Sequence, residues 1–341
     1  MTVSPSAGRW FKTLSGTCFD DNVSYAVSTI TLDEKDEILA CIEGTNFHST
    51  KADLHGICVK LYTCREGTKI MWEDNFYAMS DHVRSHARLF VLEDPDRGVE
   101  VLYEPLTSTA FLYNFDYYGW IKSVALAVAG DILEDTHNIH SVHGAALDVD
   151  GKGATLIAPS RTGKTTQSWG LLRMRESRLV TDDWYFVRLS DRRPLAFGSE
   201  KNCYIDSDIG EIWNEYQPLV DKARFDNRQR AIVDVRWVAG RGSVIPMTSM
   251  HHIILLKRDR DDPQALRELS ADEAWDYLRE HDLCNPHQMS RGPRKLRTRE
   301  RFFRSYLREC TVHMVNTIRS PQETQSLIRG LLLACEDPRQ D

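Results

Sequence analysis

Residues 158–165 read Ala158-Pro159-Ser160-Arg161-Thr162-Gly163-Lys164-Thr165. They differ by one residue from the phosphate-binding pattern G-x-x-x-x-G-K-[ST], with Ala158 standing where the first glycine belongs. Each matching residue has a physical task. Backbone N–H groups of such a loop wrap phosphate oxygens, and the helix that follows points its positive N-terminal end at them. The expected cradle is Ser160, Arg161, Thr162, Gly163, Lys164, Thr165 and Thr166. The Lys164 ammonium is expected to reach the outer phosphates, and the Thr165 hydroxyl to ligate Mg²⁺. Alanine at 158 fits if that position is extended, as a residue before proline tends to be, and is strained if it requires positive φ. Arg161 either adds a cation over the phosphates or points to solvent.

The flanks suit such a loop. Ala154-Thr155-Leu156-Ile157 ahead of it is a short apolar β-compatible run, and Thr165 to Met174 after it, with Trp169, Leu171 and Leu172 and no proline, suits a helix. Arg178-Leu179-Val180-Thr181 then reads as a second strand ending in Asp182-Asp183. Adjacent carboxylates repel unless a cation or a proton separates them, and Mg²⁺ with ATP supplies that cation. One carboxylate is then expected to bind metal, directly or through water, and the other to accept a proton from an attacking hydroxyl. The plainer alternative is a solvated turn leading into Trp184-Tyr185-Phe186-Val187. Upstream, Ser141 to Val149 reads as one strand entering a hairpin at Asp150-Gly151-Lys152-Gly153. That hairpin returns into the strand of the loop and brings His143 toward the phosphates.

Three blocks, His143-Gly144, the loop ending Gly163-Lys164-Thr165, and Val180-Thr181-Asp182-Asp183, resemble in order and spacing the HPr kinase/phosphorylase family. The kinase domain of that family is related to phosphoenolpyruvate carboxykinase. The similarity covers residues 137–260, while Asn285-Pro286-His287 and Val315-Asn316-Thr317 look like more divergent related kinases. The resemblance implies an α/β fold with a P-loop kinase domain over residues 136–335 behind a β-rich N-terminal domain. It also implies transfer of the ATP γ-phosphoryl group to a hydroxyl, often of serine, with Mg²⁺. Carried over by position, Lys164 and Thr165 hold phosphate and metal, Asp183 is the candidate base and Asp182 the metal or water partner. The order of the two aspartate roles stays open. His143 would bind metal or phosphate. The family signature resembling E-[IV]-R-G-L-G-[IL]-[IL] is altered here to Arg228-Gln229-Arg230-Ala231-Ile232-Val233-Asp234-Val235. The loss of its glycines and glutamate turns the expected acceptor from HPr toward a peptide, an amino acid or another small metabolite. Glu200, Asp206 and Asp208 are alternative acidic metal partners, each expected as a surface carboxylate. Family members often form oligomers, so a homo-oligomer is an open option. Two rival readings remain: a phosphoenolpyruvate carboxykinase-like enzyme, for which the chain is short, and a nucleotide-binding regulator that does not turn over.

Composition bounds these readings. The chain has 341 residues, 41% apolar and 27% charged, which describes a soluble protein of two domains or one enlarged domain. A net charge of −7 argues against a general nucleic-acid binder. The apolar run Val124–Ala129 is far too short to span a bilayer, and Met1–Gly16 has no signal-peptide core. A cytoplasmic setting is expected. The eight cysteines, Cys18, Cys41, Cys58, Cys64, Cys203, Cys284, Cys310 and Cys335, contain no C-x-x-C pair and read as reduced buried thiols. His251-His252 lies on a strand, where neighbours point to opposite faces and make a poor chelate.

The supporting elements follow from pattern. Residues 1–20 read as loose, and 21–135 as the β-rich domain ending in a linking helix. The runs Val23–Thr31, Ile38–Ile42, Ile57–Thr63 and Val99–Tyr103, separated by charged turns such as Asp33–Asp36 and Asp94–Gly98, predict an antiparallel sheet. The aromatic run Tyr113–Trp120 is expected to pack a junction, and the alanine- and leucine-rich run Ile121–Leu133 to form a buried helix. Ser270 with Glu273 forms a capping box. Residues 221–230, with Arg224, Arg228 and Arg230, read as a solvated face from which one arginine could meet the transferring phosphoryl group. Residues 291–308 are strongly basic and read as the exposed face of a helix that packs Phe302, Phe303 and Tyr306 inward.

Overall fold

Across residues 25–334, which the computed structural model describes, the β-compatible runs pair into two main sheets. The loose stretch 1–20, the first residues of the run from Val23, Cys18 and Cys335 lie outside the described residues. The first sheet contains β1 (Ala26–Thr29), β2 (His48–Leu54), β3 (Ile57–Thr63), β4 (Tyr77–Ala78), β5 (Ala87–Leu92), β6 (Glu100–Glu104) and β7 (Thr109–Tyr113). Their order is β1-β6-β7-β5-β3-β2-β4. The sheet is mixed rather than antiparallel, because β1/β6, β3/β5 and β5/β7 run parallel. Parallel neighbours need a crossover, and helix α2 (Glu66–Asn75) supplies one between β3 and β5.

Ile38–Ile42 and the turn Asp33–Asp36, expected as strand and turn, belong instead to helix α1 (Leu32–Cys41) and its C-cap. The physical reason is local. Thr31 caps the helix and Glu34 closes a capping box, with Thr31 N–H donating to Glu34 Oε2 at 2.8 Å. Helix α1 lays Ile38, Leu39 and Ile42 over Phe90, Leu102 and Phe111 on one face of the sheet. The other face meets Trp72 and Phe76 of the α2 segment and helix α3 (Tyr118–Ile132), the buried helix expected from its alanines and leucines.

The second sheet contains β8 (His140–His143), β9 (Ala145–Val149), β10 (Lys152–Ile157), β11 (Ser177–Thr181), β12 (Trp184–Arg188) and β13 (Leu195–Gly198). After a separate hairpin of β14 (Cys203–Asp206) and β15 (Arg230–Val233) it adds β16 (Met247–Lys257), β17 (Leu266–Leu269) and β18 (Thr311–Asn316). The long strand β16 pairs in parallel with both β10 and β18. Its side chains alternate, as a strand buried on both faces requires. Ile254 and Leu256 face helix α4 (Lys164–Leu172) and helix Pro321–Ala334, while Ile253 and Leu255 face helices Ala271–Glu280 and Pro293–Glu309. The Ser270–Glu273 capping box is present at the start of Ala271–Glu280. Helix Pro293–Glu309 packs Phe302, Phe303 and Tyr306 inward as expected, but part of its basic set is also buried. Lys295 pairs with Asp131 at 2.8 Å and Glu134 at 2.9 Å, and Arg299 pairs with Glu134 at 3.1 Å. Of the described cysteines, Cys58, Cys203 and Cys284 are buried, whereas Cys41 and Cys64 are exposed. No helix among the described residues is long and apolar enough to cross a membrane.

The stretch read as one strand from Ser141 to Val149 is two. β8 pairs with β12, and β9 pairs with β10 and β11. Gly144 makes the break. Its N–H donates to the Asp183 carbonyl at 2.9 Å, and a Cβ there would sit 2.8 Å from the Leu156 carbonyl oxygen. The close approach leaves His143 and Asp183 side by side at the end of the sheet. Gly144→Ala should therefore destabilise the fold by about 1–3 kcal/mol, as overpacking does. Urea denaturation measures this, and an unchanged midpoint would contradict the tight crossing.

Candidate active site

The phosphate-loop sequence lies between β10 and α4, as its flanks predicted. Ala158 keeps a negative φ, so the missing glycine costs nothing at that position. The left-handed residues are Gly163, with φ +96°, and Arg161, with φ +62°. Glycine adopts that conformation freely, whereas arginine is strained there. Thr162 braces the turn: its hydroxyl donates to the Pro159 carbonyl, and its own carbonyl accepts from Thr317 Oγ1 at 2.8 Å. Gly163 is the N-cap of α4, whose first N–H groups have no partner within the helix. They are available to an anion.

Asp183 is the centre of the polar groups at this point. Its Oδ1 accepts from Lys164 Nζ at 2.7 Å and lies 3.2 Å from His143 Nε2. Its Oδ2 accepts from Lys122 Nζ at 2.7 Å. Lys164 Nζ is also 3.1 Å from His143 Nε2. Burial alone would raise the Asp183 carboxyl, but the ammonium groups of Lys122 and Lys164 hold it well below the usual carboxylate range. Lys122 is buried in α3, and burial alone would lower its ammonium. Asp183 and Glu200 reverse that and hold it above the usual range. His287, one of the residues singled out in Asn285-Pro286-His287, stands beside His143 and bonds Tyr25 through Nδ1 at 2.6 Å. Burial, reinforced by His143, pushes its pKa down to about 3, so it is a neutral ring.

Asp182 occupies a different place. It is buried behind the loop and accepts from Ser168 Oγ at 2.7 Å, while Ser168 also donates to the Thr165 carbonyl at 3.0 Å. Burial, with the neighbouring Asp183 charge adding to it and the Ser168 bond opposing it, raises Asp182 to about 6. Thus the two aspartates that the sequence left unordered face different surroundings. Asp183 is on the cavity wall with the cations, and Asp182 is in the layer beneath.

The cavity has a volume of about 670 Å³ and is walled by Ser160, Arg161, Gly163, Lys164, Thr165, Thr166, His143 and Asp183 together with residues from elsewhere. Two lysines, Lys122 and Lys164, and five arginines, Arg161, Arg228, Arg230, Arg258 and Arg319, outnumber the wall carboxylates Asp183, Asp206 and Asp208. Arg228 rests over the rings of Tyr117 and Trp120, at 4.7 and 5.3 Å, and Arg230 pairs with Asp206 at 2.9 Å. Arg224 is not on the wall. The aromatic run therefore serves both as packing and as a platform for a cation. A nucleotide triphosphate fits this wall in its chemistry: an open helix N-terminus, a left-handed Gly163 and a surplus of cations. Thr165 lines the cavity, with Asp182 buried behind the loop. Among the described residues no group of three His, Cys, Asp or Glu side chains is assembled to hold a metal, so Mg²⁺ here would take other ligands from phosphate and water.

Sequence reasoning missed Lys122 and misplaced Glu200. Glu200, expected on the surface, has a side chain only 5% exposed, because Lys122 at 3.1 Å and Asn75 at 3.0 Å hold it inside. Asn75 in turn accepts from Tyr118 at 3.1 Å. A chain of buried polar groups thus runs from the end of α2 to Asp183. The signal in the sequence was a lone lysine inside the apolar run Ile121–Ala129, since a buried ammonium demands a carboxylate partner.

No family model matches the chain, and no curated protein matches it in sequence. Among solved structures, one titled "Structure of the Hpr(Ser) kinase/phosphatase from Coxiella burnetii" is similar to this chain at 15% identity and a TM-score of 0.33. The match covers 57% of this chain and 91% of that one. A TM-score of that size does not establish a shared fold.

Two outcomes test this electrostatic account. Lys122→Met leaves Glu200 without its buried partner and should cost about 3–5 kcal/mol of stability, whereas Lys122→Met with Glu200→Met should recover most of it. Chemical denaturation of the two variants at neutral pH decides, and equal losses would contradict the pairing. For Asp182 the sign runs the other way. Its folded pKa of about 6 lies above that of an unfolded aspartate, so the folded state binds the extra proton and stability falls as pH rises toward 6. Asp182→Asn should stabilise the nucleotide-free protein at pH 7.5 by up to about 3 kcal/mol, with the gain vanishing near pH 4. Denaturation midpoints at the two pH values check it.

Proposed function

We propose that this chain is an ATP-dependent phosphotransferase whose acceptor is a hydroxyl on a peptide, an amino acid or another small metabolite. The observation that supports this most is the convergence of Lys164, His143 and Asp183, each within 3.2 Å of the next, on the wall of one cation-rich cavity. The order of the motifs, which resembles that of HPr kinases, supports the same reading. ATP with Mg²⁺ supplies the transferable phosphoryl group and a counter-charge for it. Backbone N–H groups from Gly163 to Thr166 hold phosphate oxygens, and Lys164 neutralises their charge. The Thr165 hydroxyl is the protein's metal ligand, with Asp182 supporting it from the layer beneath. Arg228 and Arg230 face the cavity from the altered signature stretch and stabilise charge on the transferring group. The proton of the acceptor hydroxyl goes to the pair formed by His143 and Asp183.

One observation favours a second reading, a nucleotide-binding regulator without turnover. Both Asp183 oxygens accept lysine ammonium groups, which weakens that carboxylate as a base. The two readings separate in one experiment. The full chain is incubated with ATP, Mg²⁺ and a panel of hydroxyl-bearing peptides and amino acids, and the products are weighed by mass spectrometry. A phosphotransferase adds one phosphoryl group to an acceptor, and Lys164→Ala loses that addition. Tight ATP binding with no acceptor modified would favour the regulator and sink the phosphotransferase reading.

A further inference from the structure

We infer that His143 Nε2 is the atom that takes the proton of the acceptor hydroxyl, and that Asp183 steadies the imidazolium so formed. This rests on the phosphotransferase reading and names the proton acceptor within it.

The tautomer of His143 is set by its other nitrogen. Nδ1 lies 2.5 Å from the carbonyl oxygen of Cys284. A carbonyl has no proton to give, so Nδ1 carries the hydrogen and donates it. In the neutral ring the lone pair is then on Nε2, on the side of Lys164 and Asp183, in a residue that lines the cavity.

That carbonyl is held in place at a cost. Asp282, Leu283 and Cys284 have φ values of +50°, +58° and +53°, three consecutive left-handed residues without a glycine among them. The left-handed conformation strains any residue that carries a Cβ. Strain persists only where the surroundings over-determine it, and they do. Arg291 grips both carboxylate oxygens of Asp282 at 2.7 Å. Gln288 Nε2 donates to the Asn285 carbonyl at 2.9 Å and the Asp282 carbonyl at 3.3 Å. The turn is clamped so that one carbonyl meets one ring nitrogen.

Asp183 is less suited to take the proton itself. Each of its oxygens already accepts an ammonium at 2.7 Å. Lys122 is fixed there by Glu200 on its other side. Lys164 is the group with a second destination, because it ends the phosphate loop and would be drawn to a bound phosphate. When Lys164 turns away, the Nε2 lone pair opens to the cavity. Lys164 thus covers the base, and a bound nucleotide would uncover it.

The step balances. The acceptor O–H proton passes to His143 Nε2 as the oxygen forms its bond to the γ-phosphorus. The bond from that phosphorus to the bridging oxygen breaks, and its electrons leave with ADP. The ring then carries hydrogen on both nitrogens, one donated to the Cys284 carbonyl and one to Asp183 Oδ1. The proton is later released to solvent.

The test has two arms. ¹⁵N NMR of the wild-type chain without nucleotide, at a pH where the ring is neutral, should show His143 protonated at Nδ1 and bare at Nε2. The opposite neutral tautomer overturns the proposal whether or not any acceptor has been found. With an acceptor in hand, His143→Gln should lower kcat by about 10²–10⁴-fold while the Kd for ATP stays within about threefold of wild type. Asp183→Asn should keep at least about tenfold more activity than His143→Gln, because Cys284, not Asp183, orients the ring. An inert Asp183→Asn beside a His143→Gln enzyme of near wild-type kcat overturns the assignment. Wild-type protein inert toward every acceptor overturns the phosphotransferase reading and this inference with it, an outcome distinct from any difference between the variants.

Discussion

Asp183 is shared between two lysines, one on each carboxylate oxygen, and the rest of the site is arranged around that sharing. Lys122 comes from α3, which packs against the first sheet, and Lys164 from the first turn of α4 in the second. A carboxylate in low dielectric without such partners would give up its charge. Each partner is secured in turn: Lys122 by Glu200, Glu200 by Asn75, and the Asp183 backbone by Gly144. The position of the carboxylate therefore depends on elements far apart in the chain, and so does the separation between its oxygens and His143.

Two strained segments meet the same site. Arg161 in the phosphate loop and the turn Asp282–Cys284 both adopt left-handed conformations without glycine. Each is braced, the loop by Thr162 and Thr317, the turn by Arg291 and Gln288. Both segments face the cavity or a residue on its wall. The remainder of the core is ordinary alternation of apolar side chains across β16 between two helical layers.

What was legible in the sequence was what is local. The phosphate loop, its flanking strand and helix, and the Ser270 capping box depend on residues within a few positions of each other, and the structure places them as read. His143 was brought near the loop by a short hairpin, and the geometry confirms the proximity. The failures came where two local signals competed or where the partner was distant. At Thr31–Ile42 the capping box outweighed the β-branched residues. At Gly144 a backbone contact with Leu156, invisible in the sequence, divided one expected strand into two. Glu200 looked like a surface carboxylate because its partners, Lys122 and Asn75, lie 78 and 125 residues away. The direction of strand pairing in the first sheet was also beyond reach, since alternation of apolar residues does not distinguish parallel from antiparallel neighbours.

The placement of Lys122 bears on how the chain is made. During synthesis α3 leaves the ribosome before residues 183 and 200 exist. Until they arrive, its buried position holds an ammonium with no counterion, and the helix cannot dock dry against the first sheet. The apolar cluster under that sheet is also incomplete, because it includes Trp184, Phe186 and Tyr204 from later in the chain. The first half of the protein therefore waits for the second. Nascent chains that stop short of Glu200 expose both an apolar face and a stranded charge, the features by which a cell's quality control distinguishes an unfinished protein from a finished one.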